Sequence, residues 1–426
     1  MFQNSALSME QAPPIKVVLR FFLTGTLFAF AASFLLFFYG ENLENLALPQ
    51  TLAITHILTL GVMASFMFGA LFQMLPVLCG VSIKEPESNS MWINYALSFG
   101  TVALVAGFVN NTVILYGIAS LLLLFAIFKT AYIMLKELIK IKHSNSSRGM
   151  LLSLLSLVLV AVFGLTLLAI RSGVGLNIDY LALKTVHFSF GLFGWVALLV
   201  ISVSFQVIEM FYVTPAYPRQ YAQILPKLLF GLLIANIAMA LFMQSYLQII
   251  DAVVILLIAL HALLTLIRLK QKKRAVTDAT VLFWAFGMGT YLLFTLAYGA
   301  SYFVAIPVTL LATLFSFFAL SVVFAMSYKI VPFLVWFHLN AKGYFEAPMM
   351  HEIAHPKYAR VNLYLFGSTF IVLFAANFIP VLWKVGAILL FAAFAMLFAM
   401  IYKALRKYNY IFKNGKRFEF TIPKSD

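Results

Sequence analysis

Twelve apolar stretches, each about as long as a bilayer's hydrocarbon is thick, constrain this chain more than any other feature. A membrane-spanning helix needs about 20 mostly apolar residues. The predicted spans are 17–39, 48–71, 92–108, 113–135, 151–170, 181–210, 225–243, 247–267, 279–300, 304–326, 363–378 and 381–402. Only 10% of the residues are charged and 63% are hydrophobic, which excludes a water-soluble protein of this size. The sequence therefore predicts an all-α polytopic membrane protein of twelve helices.

The distribution of basic residues predicts how the helices are oriented. With the N-terminus placed in the cytoplasm, 26 of the 29 Lys and Arg residues fall on the cytoplasmic side, and only Arg171, Lys184 and Lys384 do not. This is the positive-inside pattern of membrane proteins, and the even helix count returns the C-terminus to the same side. We expect a cytoplasmic segment at 1–16, a single transmembrane domain at 17–403 and a basic cytoplasmic tail at 404–426. The net charge of +15 is explained by basic residues in the cytoplasmic segments, which attract anionic lipid headgroups. A nucleic-acid partner is not needed to account for it.

Similar residues recur near the ends of the second, sixth and tenth predicted helices. Gln73 and Gln206 are 133 residues apart, Lys329 follows after a further 123, and prolines lie nearby at Pro76 and Pro332. Each step covers four helices, so the pattern predicts three four-helix units around a pseudo-three-fold axis. Because so few residues repeat, an arrangement without internal symmetry is the alternative.

His56 and His187 are the main candidates for a functional site. Each lies a little inside the start of its helix, so both imidazoles are expected about 10 Å below the outer interface. The corresponding residue of the tenth helix is Ala312. A histidine inside a membrane span suggests ligation of haem or copper from two facing helices. The alternative is a pair of neutral histidines that only donate hydrogen bonds to neighbouring helices.

The second helix resembles a helix of a known superfamily. Residues 55–61 (THILTLG) and 72–80 (FQMLPVLCG) are similar to helix two of the haem-copper oxidase catalytic subunit, subunit I, where an early histidine ligates the low-spin haem. The count of twelve helices, the cytoplasmic termini and the three four-helix units also look like that superfamily. The resemblance implies a haem ligand at His56, with His187 in the sixth helix as the second metal-binding residue.

The chain departs from that superfamily where oxygen would be reduced. Gly191 stands where the oxidases place a tyrosine four residues after their helix-six histidine, helix seven has no adjacent histidine pair, and helix ten has no His-x-His. The resemblance is therefore to divergent relatives such as NnrS-type haem- and copper-containing proteins of a bacterial inner membrane. It implies b-type haem, with copper as the other cofactor, and a role in electron transfer or in handling a diatomic gas. A cytochrome or quinone is the expected redox partner, and a complete terminal oxidase activity is not expected.

Two other functions remain as alternatives. The segment His351, Glu352, His355 fits the His-Glu-x-x-His pattern of zinc proteases, in which two histidines share a helix face. Pro356 directly after the second histidine disfavours that helix, so a protease is the less favoured reading. The other alternative is a small-solute transporter, although the sequence shows no six-plus-six repeat. The single cysteine, Cys79, excludes an intramolecular disulfide.

Overall fold

A computed structural model describes residues 8–273 and 278–417 and is built from helices. Twelve of them are long and apolar enough to cross a membrane. They are α1 (Ile15–Asn42), α2 (Pro49–Cys79), α3 (Pro86–Asn110), α4 (Val113–Leu138), α5 (Asn145–Arg171), α6 (Tyr180–Tyr212), α7 (Arg219–Phe242), α8 (Leu247–Lys270), α9 (Ala279–Ala300), α10 (Val308–Asn340), α11 (Pro356–Ala376) and α12 (Leu382–Asn414). The predicted all-α fold with twelve spans is confirmed.

Both ends of the described chain lie on the same side of the helix bundle, which we call the terminal face. Nε2 of His338, near the end of α10, lies 2.9 Å from the carbonyl oxygen of Pro13. Tyr344, after α10, forms an antiparallel β-bridge with Arg417, after α12. The opposite side, where α2 and α6 begin, is called the distal face.

Several helices extend further towards the terminal face than the sequence predicts, α10 and α12 by the most. The tenth span was expected to end at residue 326, but α10 continues through Pro332 to Asn340. It can do so because its polar residues find partners inside the protein, such as Lys329, whose Nζ lies 2.9 Å from Oδ2 of Asp278. α12 likewise continues to Asn414, past the predicted start of the tail at 404. Positions 1–7 of the predicted N-terminal segment and 418–426 of the tail lie outside the described residues.

Three helices form the centre of the bundle. Within their most apolar windows, 83% of α2, 83% of α6 and 78% of α10 is buried, against 28–61% for the other nine. A cavity of about 80 Å³, which we call the central cavity, lies between these three helices and has one further wall residue, Phe22 of α1. The nine remaining helices surround this centre, so the bilayer faces them and not the central three.

The nine surrounding helices follow chain order, and with the central three they divide into three consecutive units of four. Contacts join α4 to α5, α8 to α9 and α12 to α1, which closes the ring. In every unit the first and second helices approach closely through a glycine, as small residues in membrane helices allow. The contacts are Gly61 of α2 with Phe28 of α1, Gly194 of α6 with Ser156 of α5, and Gly287 of α9 with Ser321 of α10. This arrangement matches the predicted three four-helix units.

α2 and α6 repeat each other segment by segment. Each contains an eight-residue π-helical segment, then a 15-residue α-helix, then a residue in the left-handed conformation. These features are Ile57–Ala64 and Phe190–Ala197, Ser65–Cys79 and Leu198–Tyr212, and Gly80 and Val213. Every pair is separated by 133 residues, the spacing of Gln73 and Gln206. π-Helical segments are rare and are frequent at functional sites, so their presence in these two helices marks the region around them.

Candidate metal centre

His56 and His187 lie side by side near the distal face. Each is seven residues after the first residue of its helix, Pro49 in α2 and Tyr180 in α6. Their ring centroids are 6.5 Å apart and the ring planes differ by 22°. The two histidines predicted from the sequence are therefore brought together at matching depth, and neither ring points away into lipid.

The hydrogen bonds of the two rings determine which nitrogen is available. Nδ1 of His56 lies 2.8 Å from the carbonyl oxygen of Leu52, and Nδ1 of His187 lies 3.1 Å from that of Val160 in α5. A carbonyl oxygen only accepts, so Nδ1 must donate in both rings. In the neutral imidazole Nε2 then carries the lone pair, and no hydrogen bond from a described residue reaches either Nε2. Fixing the tautomer in this way is how proteins orient histidine ligands of metals.

Neighbouring helices hold both rings in place. The ring of Phe108 in α3 lies 5.1 Å from that of His56. Gly164 of α5 lies so close to His187 that an added Cβ would be 2.9 Å from its Cε1. Arg171, at the end of α5, lies with its guanidinium carbon 5.7 Å from the Phe108 ring centroid and donates from Nε to the hydroxyl of Tyr116 at 3.0 Å. The pair therefore lies between α2, α3, α5 and α6, away from the central cavity.

The two histidines are not equivalent in the 133-residue repeat, and this is why they can meet. The equivalent of His56 is Ser189, and the equivalent of His187 is Ile54, so the two histidines are offset by two residues. Two residues turn a side chain about 200° around a helix. In a three-fold arrangement, equivalent side chains can contact each other only near the axis, but this pair lies away from the axis, between the first and second units. The offset of two residues rotates the side chain of His187 about the axis of α6, so that it faces α2. In the third unit Ala312 carries no ligand and is exposed.

The donor set fits a metal that needs two protein ligands. Two imidazoles that bind one ion through Nε2 at about 2.0 Å have centroids at most about 6.3 Å apart, and the observed 6.5 Å is close to this limit. Among residues 8–273 and 278–417, no three His, Cys, Asp or Glu side chains are grouped so that they could hold a metal ion. Zinc and Cu(II) sites usually take more protein ligands than two. Two protein ligands are enough for haem iron, because the macrocycle supplies its other nitrogens. Two are also enough for two-coordinate Cu(I).

The residues of the zinc-protease pattern are arranged differently. His351 and Glu352 lie in the single turn Met350–Ile353, and His355 lies beyond it in extended conformation as the N-cap of α11. The side chains serve as caps, because Glu352 accepts from the backbone of Met349 and His355 accepts from that of Lys357. The two histidines do not share one helix face, as the following proline predicted.

His261 of α8 has a different environment. Its side chain is buried, with Nδ1 3.0 Å from the hydroxyl of Tyr221 and Nε2 3.1 Å from that of Ser204. Tyr217 and Tyr221 both stack on its ring, at centroid distances of 5.7 and 6.3 Å. With both nitrogens bonded, His261 is a structural residue near the terminal face.

Sequence reasoning missed the residues that position the two rings. Gly164 and Phe108 lie on helices that carry no histidine, so nothing in their local sequence points to the site. Arg171 did give a signal, since it is one of three basic residues outside the cytoplasmic set. The comparisons add no further residue: no family model matches the chain, and no curated protein is detectably similar to it.

Proposed function

We propose that this polytopic membrane protein binds haem through His56 and His187 and carries electrons within the membrane. The observation that supports this most directly is the ring pair at 6.5 Å, with both Nδ1 atoms held by backbone carbonyls and both Nε2 atoms free. A haem with two axial histidines has no open coordination position, so it supplies one-electron transfer and not the binding of a gas. Electron transfer is therefore favoured over handling of a diatomic gas.

The protein's own residues would hold the group in three ways. His56 and His187 would hold the iron through Nε2, and the carbonyls of Leu52 and Val160 fix the orientation of the two rings. Arg171 places a cation on the distal side of the pair, where it suits the carboxylates of a haem. Copper(I) is the second candidate, because the same two nitrogens complete a two-coordinate ion and no third ligand is grouped with them among the described residues.

The relationship and the orientation are parts of the same proposal. We infer a divergent relative of haem-copper oxidase subunit I, supported by three four-helix units and by the π-helical segments in α2 and α6. The terminal face is assigned to the cytoplasm of a bacterial inner membrane because nearly all basic residues lie towards it. The electron donor or acceptor would be a cytochrome or a quinone.

The test is the visible spectrum of the full chain, purified in detergent from haem-replete cells. We expect a Soret band that shifts on reduction with dithionite. His56→Ala and His187→Ala should each lose the six-coordinate spectrum, because one axial ligand is removed. Metal analysis of the same samples separates haem iron from copper.

His351→Ala is the matched control, since it removes an exposed histidine that is not grouped with other ligands. It should leave the spectrum and the iron content unchanged. A colourless wild-type preparation without iron or copper would contradict the proposal and favour a transporter. Loss of one bound zinc in His351→Ala would favour the protease.

A further inference from the structure

The central cavity lies next to a larger space at the terminal face. A cavity of about 440 Å³, which we call the vestibule, lies between the ends of α2, α6, α10 and α11 and the turn Met350–Ile353. Met74, Met326 and Ile330 line both cavities. The two cavities therefore adjoin at these three residues, and together, from the terminal face to the middle of the bundle, we call them the passage.

Methionines are concentrated along this passage. They make up six of the 34 described residues that line the two cavities, whereas the whole chain has 17 in 426. The six are Met63, Met67, Met74, Met210, Met326 and Met350. Met350 is exposed at the entrance, Met74 and Met326 lie where the cavities join, and Met63 and Met67 lie one turn apart in the centre. Thioether sulfur is therefore available at every stage of the passage.

Two buried oxygens in the same walls have no partner in the described structure. Gln73, which is 5% exposed, lines the vestibule with an unpaired Oε1. Ser327, which is 1% exposed, lines the central cavity with an unpaired Oγ. A buried polar atom without a partner costs about 1–3 kcal/mol, so such atoms are usually satisfied by something. Each lines a cavity that Met326 also lines, so each oxygen is available as a supplementary ligand beside the sulfur atoms.

The charge of the passage selects the kind of ion. Among the described lining residues, the central cavity has no charged side chain, and the vestibule has the Lys329–Asp278 ion pair, at 2.9 Å, and the exposed imidazole of His351. A hard cation such as Mg²⁺ or Ca²⁺ needs carboxylates and other oxygen ligands. Thioethers are soft ligands that select Cu(I). We propose that the methionine-lined passage binds Cu(I), entering from the terminal face.

This site is separate from the histidine pair. Met63 lies seven residues from His56 along α2, and neither His56 nor His187 lines the two cavities. The passage would thus bind copper whether or not the histidine pair holds haem. An ordinary packing role for the methionines is the competing account, because methionine often fills irregular gaps in cores.

The experiment removes sulfur without removing volume. In a His56→Ala/His187→Ala background, Met63→Leu/Met67→Leu/Met326→Leu is compared with the matched triple Met134→Leu/Met150→Leu/Met288→Leu, whose methionines are fully buried elsewhere. Methionine and leucine have similar volumes, so both triples should fold. Binding is measured on the full chain in detergent by competition with a chromophoric Cu(I) chelator, with Ag(I) as a redox-inert probe. We expect at least a hundredfold weaker binding in the cavity triple and no change in the control.

X-ray absorption of the copper-loaded protein gives a second readout. Sulfur neighbours around Cu(I) that disappear in the cavity triple would support the site, and Met326→Leu alone serves if the triple does not fold. Equal affinity in the cavity triple and the control, or copper with nitrogen and oxygen neighbours only, would overturn the proposal. The haem spectrum of the cavity triple in the wild-type histidine background reports separately on the histidine pair.

Discussion

The histidine pair near the distal face and His261 near the terminal face are both inside the membrane bundle, yet their hydrogen bonding differs. His261 has a partner at each ring nitrogen, the hydroxyl of Tyr221 at Nδ1 and the hydroxyl of Ser204 at Nε2. His56 and His187 each use only Nδ1, and only on a backbone carbonyl. A location inside a membrane span therefore does not identify a ligand. What distinguishes the proposed ligands His56 and His187 is an Nε2 that receives no hydrogen bond from a described residue, since a metal binds through an unoccupied nitrogen lone pair.

The largest expected effect on stability comes from His261→Leu. This change leaves the half-buried hydroxyl of Tyr221 without its partner, and an unpaired buried group costs about 1–3 kcal/mol. We expect the free energy of unfolding in detergent to fall by about that amount while the haem spectrum and metal content stay unchanged.

His56→Leu is the reciprocal variant. It should lose the cofactor and leave the stability of the metal-free protein nearly unchanged, because the carbonyl of Leu52 is also a helical acceptor and Nε2 has no partner among the described residues. If His261→Leu lost the metal, or if metal-free His56→Leu were the less stable of the two, the distinction drawn between these sites would be wrong.

A smaller effect is expected from Gly164→Ala. The new methyl group would lie 2.9 Å from Cε1 of His187, next to the Nδ1 atom that the carbonyl of Val160 holds. The ring must shift, and we expect about tenfold weaker binding of the metal centre, as small displacements of ligands usually cause. Haem titration of the two metal-free proteins measures the change.

Gly117→Ala is the control for this variant. Gly117 lies in α4, and a Cβ there would meet nothing within 4 Å. Both substitutions improve helix propensity equally, so only the contact with His187 differs. Equal haem affinity in the two variants would show that α5 does not position the ring.

The smallest effect concerns the Lys329–Asp278 ion pair, in which each charged group has its partner. Burial opposes ionisation of Asp278, but hydrogen bonds from Thr280 and Lys329 and the charge of Lys329 outweigh it and lower the pKa of this carboxyl. A lowered carboxyl pKa stabilises the fold above the usual value of 3.8, and that contribution is lost as the pH falls through the lowered pKa.

Asp278→Asn should remove this pH dependence. The side chain is 34% exposed, so the loss at neutral pH should be at most about 1 kcal/mol. Unfolding of the two proteins in detergent between pH 2 and pH 7 measures the difference. A wild-type stability that rises, instead of falling, below the usual carboxyl pKa would contradict the assignment.

The sequence predicts the fold well because spanning a bilayer imposes one length and one composition on every helix. All twelve spans were predicted, and the ninth has the predicted bounds of 279 and 300. The errors occur where helices leave the apolar region. The last turns of α10 carry Lys329 and His338, whose partners, Asp278 and Pro13, lie far away in the chain. Such partners depend on tertiary contacts that hydropathy does not report.

The candidate site could be predicted only in part, for the same reason. His56 and His187 were visible because an ionisable residue in an apolar stretch is rare. The carbonyl of Val160, the contact with Gly164 and the ring of Phe108 come from other helices, so no local pattern contains them. The methionines of the passage look like ordinary apolar residues until α2, α6 and α10 are placed around a common cavity.

The two-residue offset between His56 and His187 limits where residues can be inserted into this chain or deleted from it. Adding or removing one residue between His187 and the π-helical segment of α6 would swing the imidazole by about 100°, out of reach of its counterpart. The loop that precedes α6 carries no such constraint, because lengthening it leaves the ring's direction untouched. Insertions and deletions should therefore be tolerated before residue 180 and excluded from residue 187 to residue 190, where spacing matters more than residue identity.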